Sequence, residues 1–457
     1  TERYKMADGS LWDKTTDNFW QNHNILSAAW NINNHWSTTA SLHYTHGYGY
    51  YKEFRLNNKL KKFGLDNFTL SDGSTLKKTD FVRKKGLTQD TYGVLGNVNY
   101  KNEDWDIIGG LSLQQFDGNH FGYLTYIKNE ELRNHLMNGG DYKYYDSDAH
   151  KFDASAFIKA LYRITDSWNV FADIQYRHVG YKTDGYNDKF YEDENTGEMK
   201  KHYLDINKKY DFFNPKFGLF YQIDKHNHVY ASLSIAHKEP TRNDYEDNIG
   251  ANLKAEKLTD WEIGYKYQSS LFTAGVNLYC MQYTNQFVLT GQLNEIGEMI
   301  ASNDNSGKSY RAGIELEAAY QPVKWFRWDV NATFSKNRNK DWTVSAVDGI
   351  AYENSGGDDW NSQGTLNLGD THTSFSPDVI FNNIFTFSWK GFKAQLQSQY
   401  IGEQYMTNTG FRYAKVGDEC IKMTLSDYFT NNLDLSYTFK MKSIQSATVG
   451  VTLYNIT

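Results

Sequence analysis

The sequence predicts an all-β protein, a transmembrane antiparallel β-barrel. Three observations carry this: strict two-residue alternation, aromatic residues at the ends of the apolar rows, and short turns that alternate with long connections. The alternation is clearest in Ser309–Asn337. One parity reads Tyr310, Ala312, Ile314, Leu316, Ala318, Tyr320, and the other Ser309, Arg311, Gly313, Glu315, Glu317, Ala319. After Gln321–Lys324 it resumes as Phe326, Trp328, Val330, Ala332, Phe334 against Arg327, Asp329, Asn331, Thr333, Ser335. A period of two is a strand, and a short turn between two such runs closes an antiparallel hairpin. An apolar parity bounded by rings and a charged opposite parity, repeated along a chain, describe a wall with lipid on one side and water on the other.

Composition agrees once read this way. Hydrophobic residues are 39% of the 457 and mean hydropathy is −0.71, values that ordinarily go with a polar soluble protein. Aromatics reach 16%, with 35 Tyr, as expected where amphipathic rings sit at two headgroup levels. No run of ~18 apolar residues exists, so no helix spans a bilayer, but barrel segments of ~10 residues alternate instead. The net charge of −7, from 48 basic and 55 acidic residues, argues against a nucleic-acid partner. Cys280 on an apolar parity and Cys420 in a long connection are read as unpaired, with no metal site.

Taken in order, the chain gives eight hairpins and sixteen strands. They pair 17–32 with 36–51, 91–100 with 105–116, 151–164 with 168–181, and 210–223 with 228–237. Then follow 257–267 with 272–289, the Ser309–Asn337 hairpin, 379–387 with 392–400, and 429–439 with 447–455. The turns inside pairs carry Asn, Asp, Ser or Gly, as tight turns require. The connections between pairs are far longer: 52–90, 118–150, 182–208, 238–256, 290–308, 338–377 and 401–427. In an ordinary soluble domain such loops would count against the assignment. In an outer-membrane barrel they are the extracellular loops, opposite short periplasmic turns. Only 4 Pro suits a closed ladder that needs nearly every N–H. The whole of 1–457 reads as one barrel domain. The start without a signal peptide and the stop inside a strand-like segment predict a piece of a longer precursor.

One segment is more specific. Ala236-His237-Lys238-Glu239-Pro240-Thr241-Arg242-Asn243-Asp244-Tyr245 precedes Asn252-Leu253-Lys254-Ala255-Glu256-Lys257-Leu258-Thr259-Asp260-Trp261-Glu262-Ile263-Gly264-Tyr265. This resembles the mid-barrel signature of TonB-dependent outer-membrane receptors, in which a strand ending near a proline leads through a loop into a strand carrying Glu-x-Gly. Ser376-Pro377-Asp378 and the closing Val449–Ile456 are similar to that family's last hairpin. The style of the loops resembles Bacteroidetes iron-complex receptors. The resemblance implies a barrel of twenty-two strands, of which about sixteen are here, about five before Thr1 and about one after Thr457. It also implies an upstream plug and a TonB-contacting segment. Haem receptors of the family carry two boxes around this loop. They match only in part at His237-Lys238-Glu239-Pro240 and Gly250-Ala251-Asn252-Leu253.

Two groups of site residues follow. Asp260, Glu262, Lys266, Arg311, Glu315, Glu317, Arg327 and Asp329 fall on the polar parity, a lumen wall that would pair charges and hold a plug. Basic residues exposed to lipid would cost ~2–4 kcal/mol each, which fixes that parity. Tyr142, Tyr144 and Tyr145, Trp342 and Trp360, with His237 and Arg242 at a strand end, are the loop candidates for ligand binding. Exposed rings give contact area at low entropy cost, and ordinary loop packing is the plain alternative. Connection 52–90 carries Lys59, Lys61, Lys62, Lys77, Lys78, Arg83, Lys84 and Lys85, a patch for anionic lipopolysaccharide or an anionic chelate. The acidic stretches Glu192–Glu198 and Asp348–Asp370 offer oxygen ligands for loop Ca²⁺, without a spelled-out Ca loop. No resident cofactor is expected, and no phosphate loop, His-Glu-x-x-His or Gly-x-Ser-x-Gly marks an enzyme.

The leading reading is therefore an outer-membrane, TonB-dependent receptor for a scarce ligand. A ferric siderophore or other iron complex comes first by resemblance; haem, cobalamin and glycan follow. Its partners would be outer-membrane lipid or lipopolysaccharide, the TonB complex through the missing N-terminal region, and a surface lipoprotein. A passive sixteen-stranded channel and a soluble all-β binding module are the alternatives.

Overall fold

The computed structural model describes residues 4–12, 15–193, 195–293, 299–303, 307–347, 362–416, 419–441 and 444–456. Among them are sixteen long strands. These are β1 Thr16–Asn31, β2 Trp36–Lys59, β3 Lys78–Lys101, β4 Trp105–Ile127, β5 Tyr142–Arg163, β6 Trp168–Glu192, β7 Ile206–Gln222 and β8 Asn227–Lys238. They continue as β9 Glu256–Gln268, β10 Phe272–Thr284, β11 Lys308–Val323, β12 Phe326–Lys340, β13 Val379–Trp389, β14 Phe392–Ile401, β15 Tyr428–Met441 and β16 Ile444–Leu453. Among these long strands the pairings β1–β2, β2–β3, β8–β9, β9–β10, β10–β11, β11–β12, β12–β13, β13–β14, β14–β15 and β15–β16 are antiparallel and join successive strands, so the ladders are meanders.

The turns follow from their polar residues. Asn33 Oδ1 accepts the backbone N–H groups of His35 and Trp36, Thr165 Oγ1 those of Ser167 and Trp168, and Asp224 Oδ1 those of His226 and Asn227. A short acceptor at the first turn position thus replaces a ladder bond three times. Lys390 and Gly391 both have positive φ, 47° and 87°, as a two-residue turn of mirror-image type requires.

The chain forms two compact units: Thr1–Asn102 with Ile107–Ile158 and Gln175–Phe212, and Glu103–Asp106 with Lys159–Ile174 and Phe213–Thr457. In the second unit the register keeps two chemistries apart. One face carries the row Tyr265, Val276, Leu316, Ala332, Phe381, Tyr400, Phe429 across seven strands. The other carries Lys266, Gly275, Glu317, Asn331, Asn382, Gln399, Thr430. On the apolar face Ile263 is 61% and Leu278 51% exposed, which for side chains of this kind means a lipid-facing wall. Cys280 shares that face opposite Trp261 and Ala312; Cys280 and Cys420 are both free thiols.

The first unit departs from the expectation of open loops. β2 runs 24 residues to Lys59 and β3 starts at Lys78, so most of connection 52–90 is strand. Connections 118–150 and 182–208 are likewise largely strand, with one helix, α1 Glu130–Met137. Asn129 caps α1 by accepting the Leu132 N–H at 2.9 Å, and Asn138 ends it in the left-handed region. These extensions exist because they have something to bury. Leu60, Phe63, Phe81, Leu124, Ile127, Leu132, Tyr144 and Tyr145 form a buried core, with the rings of Phe63 and Phe81 4.6 Å apart. Each such side chain contributes roughly 1.5–3 kcal/mol by leaving water.

Candidate functional site

The polar wall of the second unit gathers the charged residues on one face. Asp260 lies opposite Met281, which lies opposite Arg311; Glu262, Tyr279 and Gly313 follow one step along, and Glu315 is opposite Asn277. Ala319 lies opposite Asp329, and Arg327 is two residues from Asp329 on β12, so the same face holds both. Asp260, Glu262, Arg311, Glu315, Glu317, Arg327 and Asp329 therefore all project from the face opposite the lipid-facing row.

Their contacts make a network rather than a row of isolated charges. Lys266 Nζ is 3.2 Å from Glu317 Oε1, and Asn277 Nδ2 donates to Glu315 Oε2 at 3.3 Å. Arg327 forks onto Asp329, with Nε donating to the two carboxylate oxygens at 3.0 and 2.9 Å and a terminal nitrogen at 2.6 Å. Tyr230 lays its ring over Gly264, where a Cβ would come within 2.2 Å of Cζ, and its hydroxyl donates to Asn277 Oδ1 at 3.1 Å. Lys266, Asn277, Glu315, Glu317 and Asn331 line a hollow of about 390 Å³, and Arg327 and Asp329 help line a second of about 270 Å³ beside it. A wall of carboxylates and amides offers ion pairs and hydrogen bonds to a polar surface. Among the described residues no group of three His, Cys, Asp or Glu is arranged to hold a metal ion.

The loop candidates are not brought together. Tyr144 and Tyr145 are 1% and 6% exposed inside the core of the first unit, with Tyr142 packed against it. That corrects the expectation of exposed rings on a loop tip. The three lie on β5, whose Tyr144 ring meets Phe63 edge-on at 5.5 Å. Burial pushes the Tyr142 phenol up from its ordinary value. His237 is the last residue but one of β8, with Nδ1 2.9 Å from Asn214 Oδ1. Arg242 opens the short helix α2 Arg242–Asp247 and donates to Glu246 Oε1 at 2.5 Å, a turn further on. Trp342 is half-buried, its backbone N–H donating to the Gly369 carbonyl and its carbonyl accepting from the Leu368 N–H, while Trp360 lies outside the described residues. Of the acidic loop residues, Asp193 accepts from the backbone of Asn195 and Thr196, and Asp370 pairs with Lys340. Glu194, Asp348, Glu353, Asp358 and Asp359 lie outside the described residues.

One arrangement escaped the sequence reading. In the first unit, an aspartate three times accepts from a tyrosine hydroxyl and contacts a histidine Nδ1. Asp90 takes Tyr44 at 2.7 Å and His46 at 2.8 Å, Asp117 takes Tyr92 at 3.0 Å and His150 at 2.6 Å, and Asp211 takes Tyr176 at 2.5 Å and His178 at 2.7 Å. Tyr44 and His46 share the parity of Trp36 and Leu42, so this cluster tops the apolar band where rings meet headgroups. The spacings Tyr44-x-His46 and Tyr176-x-His178 were the available signal.

Solved structures resemble this chain along its whole length. The ferric yersiniabactin uptake receptor FyuA from Yersinia pestis superposes with a TM-score of 0.59 at 12% identity, over 99% of this chain and 60% of that one. The ferric citrate transporter FecA gives 0.61 at 12%, over 96% and 57%. The copper transporter OprC gives 0.56 at 11%, over 100% and 68%. The chain thus spans about 60% of the length of the first of these, and at such identities the likeness is one of fold. No curated protein matches at the level of sequence. A family model does, over residues 2–456: the chain belongs to the TonB dependent receptor-like, beta-barrel family, whose members are bacterial outer-membrane proteins.

Proposed function

We propose that this chain is the body of a receptor that captures a scarce iron complex, a ferric siderophore foremost, from outside the cell. Import would be driven through TonB acting on a plug that the polar wall holds. The observation that carries the reading is that wall: the ion pairs Lys266–Glu317 and Arg327–Asp329 stand on one face with the carboxylates of Glu262 and Glu315, partly exposed charge suited to gripping and releasing a polar domain. Iron-complex receptors such as FyuA and FecA share the fold, which supports the ligand class. OprC shares it too, so the cargo rests on chemistry yet to be measured.

The test is a strain lacking the full-length gene, grown on defined iron sources and assayed for uptake of labelled ferric complexes. Loss of growth on one ferric siderophore, restored by the gene and abolished without TonB, is expected. Intact iron acquisition with lost uptake of a vitamin, haem or glycan would move the ligand. Uptake that needs neither TonB nor a plug would favour a passive channel, the reading that the sixteen long strands by themselves would suit.

A further inference from the structure

The outward row of β2 and β3 changes chemistry with height, and the register is unbroken from Trp36 opposite Tyr100 to Arg55 opposite Phe81. It passes from Ala40 and Leu42 through the ring pair Tyr44 and Tyr92 to His46 and Asp90. Above these come Tyr48, Tyr50 and finally Lys52 opposite Lys84. The Lys84 ammonium folds back among rings: 4.3 Å from the centre of Tyr50, 5.9 Å from Tyr48 and 5.9 Å from Phe121, with Tyr48 Oη at 3.2 Å. Gly86 makes room for the third wall, since a Cβ there would stand 2.6 Å from Phe121 Cζ.

The neighbours on the opposite parity behave differently. Arg83 is paired with Glu53 and Lys85 with Asp188. Lys84 and Lys52 have no carboxylate within ion-pair distance among the described residues. Basic charge on this stretch is neutralised where it faces inward and left available where it faces outward.

We infer that Lys84 and Lys52, with the Tyr48, Tyr50 and Phe121 rings, form a binding site for a phosphorylated glycolipid of the outer leaflet. The inference rests on the outer-membrane reading above. The face is continuous with the lipid-contacting band, which names the membrane as the source. Tyr48 is four residues above Tyr44, so on a strand tilted about 40° it stands roughly 10 Å higher. A simple headgroup layer is only about 5–7 Å deep on each side, so a phosphate carried on a sugar reaches this level better than a phospholipid's own. An ammonium has three N–H donors, of which Tyr48 Oη engages one, leaving two for phosphate oxygens while the ring faces meet sugar C–H groups.

The full-length receptor, purified in mild detergent, is compared with Lys52→Gln/Lys84→Gln, Lys52→Arg/Lys84→Arg and Lys390→Gln. Lys390 stands 5.8 Å from the Trp389 ring at a short turn, and so controls for a lysine over a ring outside the site. Native mass spectrometry of co-purified phosphoglycolipid should show about tenfold lower occupancy in the glutamine pair. The arginine pair and Lys390→Gln should stay at the parent level. Reloading in nanodiscs should restore occupancy with phosphorylated but not dephosphorylated glycolipid, and millimolar inorganic phosphate should not compete. Equal occupancy in the glutamine pair, or equal loading of the dephosphorylated lipid, overturns the site; so does competition by free phosphate. Uptake of ferric complexes is assayed in the same variants, so failure of the transport reading shows separately from failure of lipid binding.

Discussion

Lys266 on β9 and Glu317 on β11 meet 3.2 Å apart across a strand that separates them, because the residue between them is Gly275. A Cβ at that position would stand 2.9 Å from both Glu317 Cγ and Oε1. Gly275→Val should therefore push the carboxylate aside and break the pair, while the flexible glutamate absorbs the clash. Both charges are more than a third exposed, so solvent screening keeps the coupling small. A Lys266→Met/Glu317→Gln double-mutant cycle should yield under about 1 kcal/mol in urea unfolding, falling further at high salt. A coupling several times larger would mean that the wall is drier than its exposure indicates.

Adjacent residues on β10 should respond in opposite ways to charge. Leu278 faces lipid in the row with Ile263 and Ile314, about midway between the ring levels. Leu278→Arg should cost about 2–4 kcal/mol of folding into bilayers. Asn277 projects to the other face, toward Glu315, and Asn277→Arg should cost under about 1 kcal/mol. Folding free energies in short-chain lipid vesicles decide it, and similar costs for the two would contradict the assignment of faces.

How much of this was legible follows from which strands have two different sides. From Phe272 to Tyr320 one parity meets lipid and the other water, so the sequence alternates and the hairpins are plain. At Phe81, Val82 and Arg83 exposure is 0%, 1% and 4% in succession. A strand covered on both sides has no reason to alternate, and such stretches read as loop. Tyr144 and Tyr145 failed for the same reason: tyrosine serves a wet tip and a packed core equally well. The partner of Tyr44 and His46 is Asp90, more than forty residues away in sequence, and only the register of β2 with β3 brings them together. Local pattern shows faces; it does not show which distant residue shares one.

The buried tyrosines give a direct test of packing against ligand contact. Phe81→Ala and Tyr144→Ala should each destabilise the first unit's core by about 3–5 kcal/mol. Protease sensitivity should appear first around α1 and the Leu60–Phe63 turn, which pack on the same core. The polar wall of the second unit should stay protected in hydrogen exchange. A Tyr144→Ala protein that resists protease and yet fails to bind ligand would restore the ring as a binding platform.

Beyond the upper ring level, Lys85 and Asp188 form an ion pair whose side chains are 19% and 14% exposed. Burial works against both charges, but each overcomes it for the other: Asp188 is held below the ordinary carboxylate value and Lys85 above the ordinary amine value. A depressed carboxylate contributes stability that is complete above its unfolded value of about 3.9 and is lost as pH falls through the folded one. A raised amine contributes stability that is complete below its unfolded value of about 10.4 and is lost as pH climbs through the folded one. The first unit's extracellular core should therefore hold steady across neutral pH and loosen at both extremes. Asp188→Asn strands a buried ammonium and should cost about 3–5 kcal/mol at pH 7. It should also flatten the acid limb, because no carboxylate remains there to protonate. Proteolysis of that core from pH 2 to 8, with an acid protease at the low end, reads both effects, and an acid limb unchanged in Asp188→Asn would place the titrating group elsewhere.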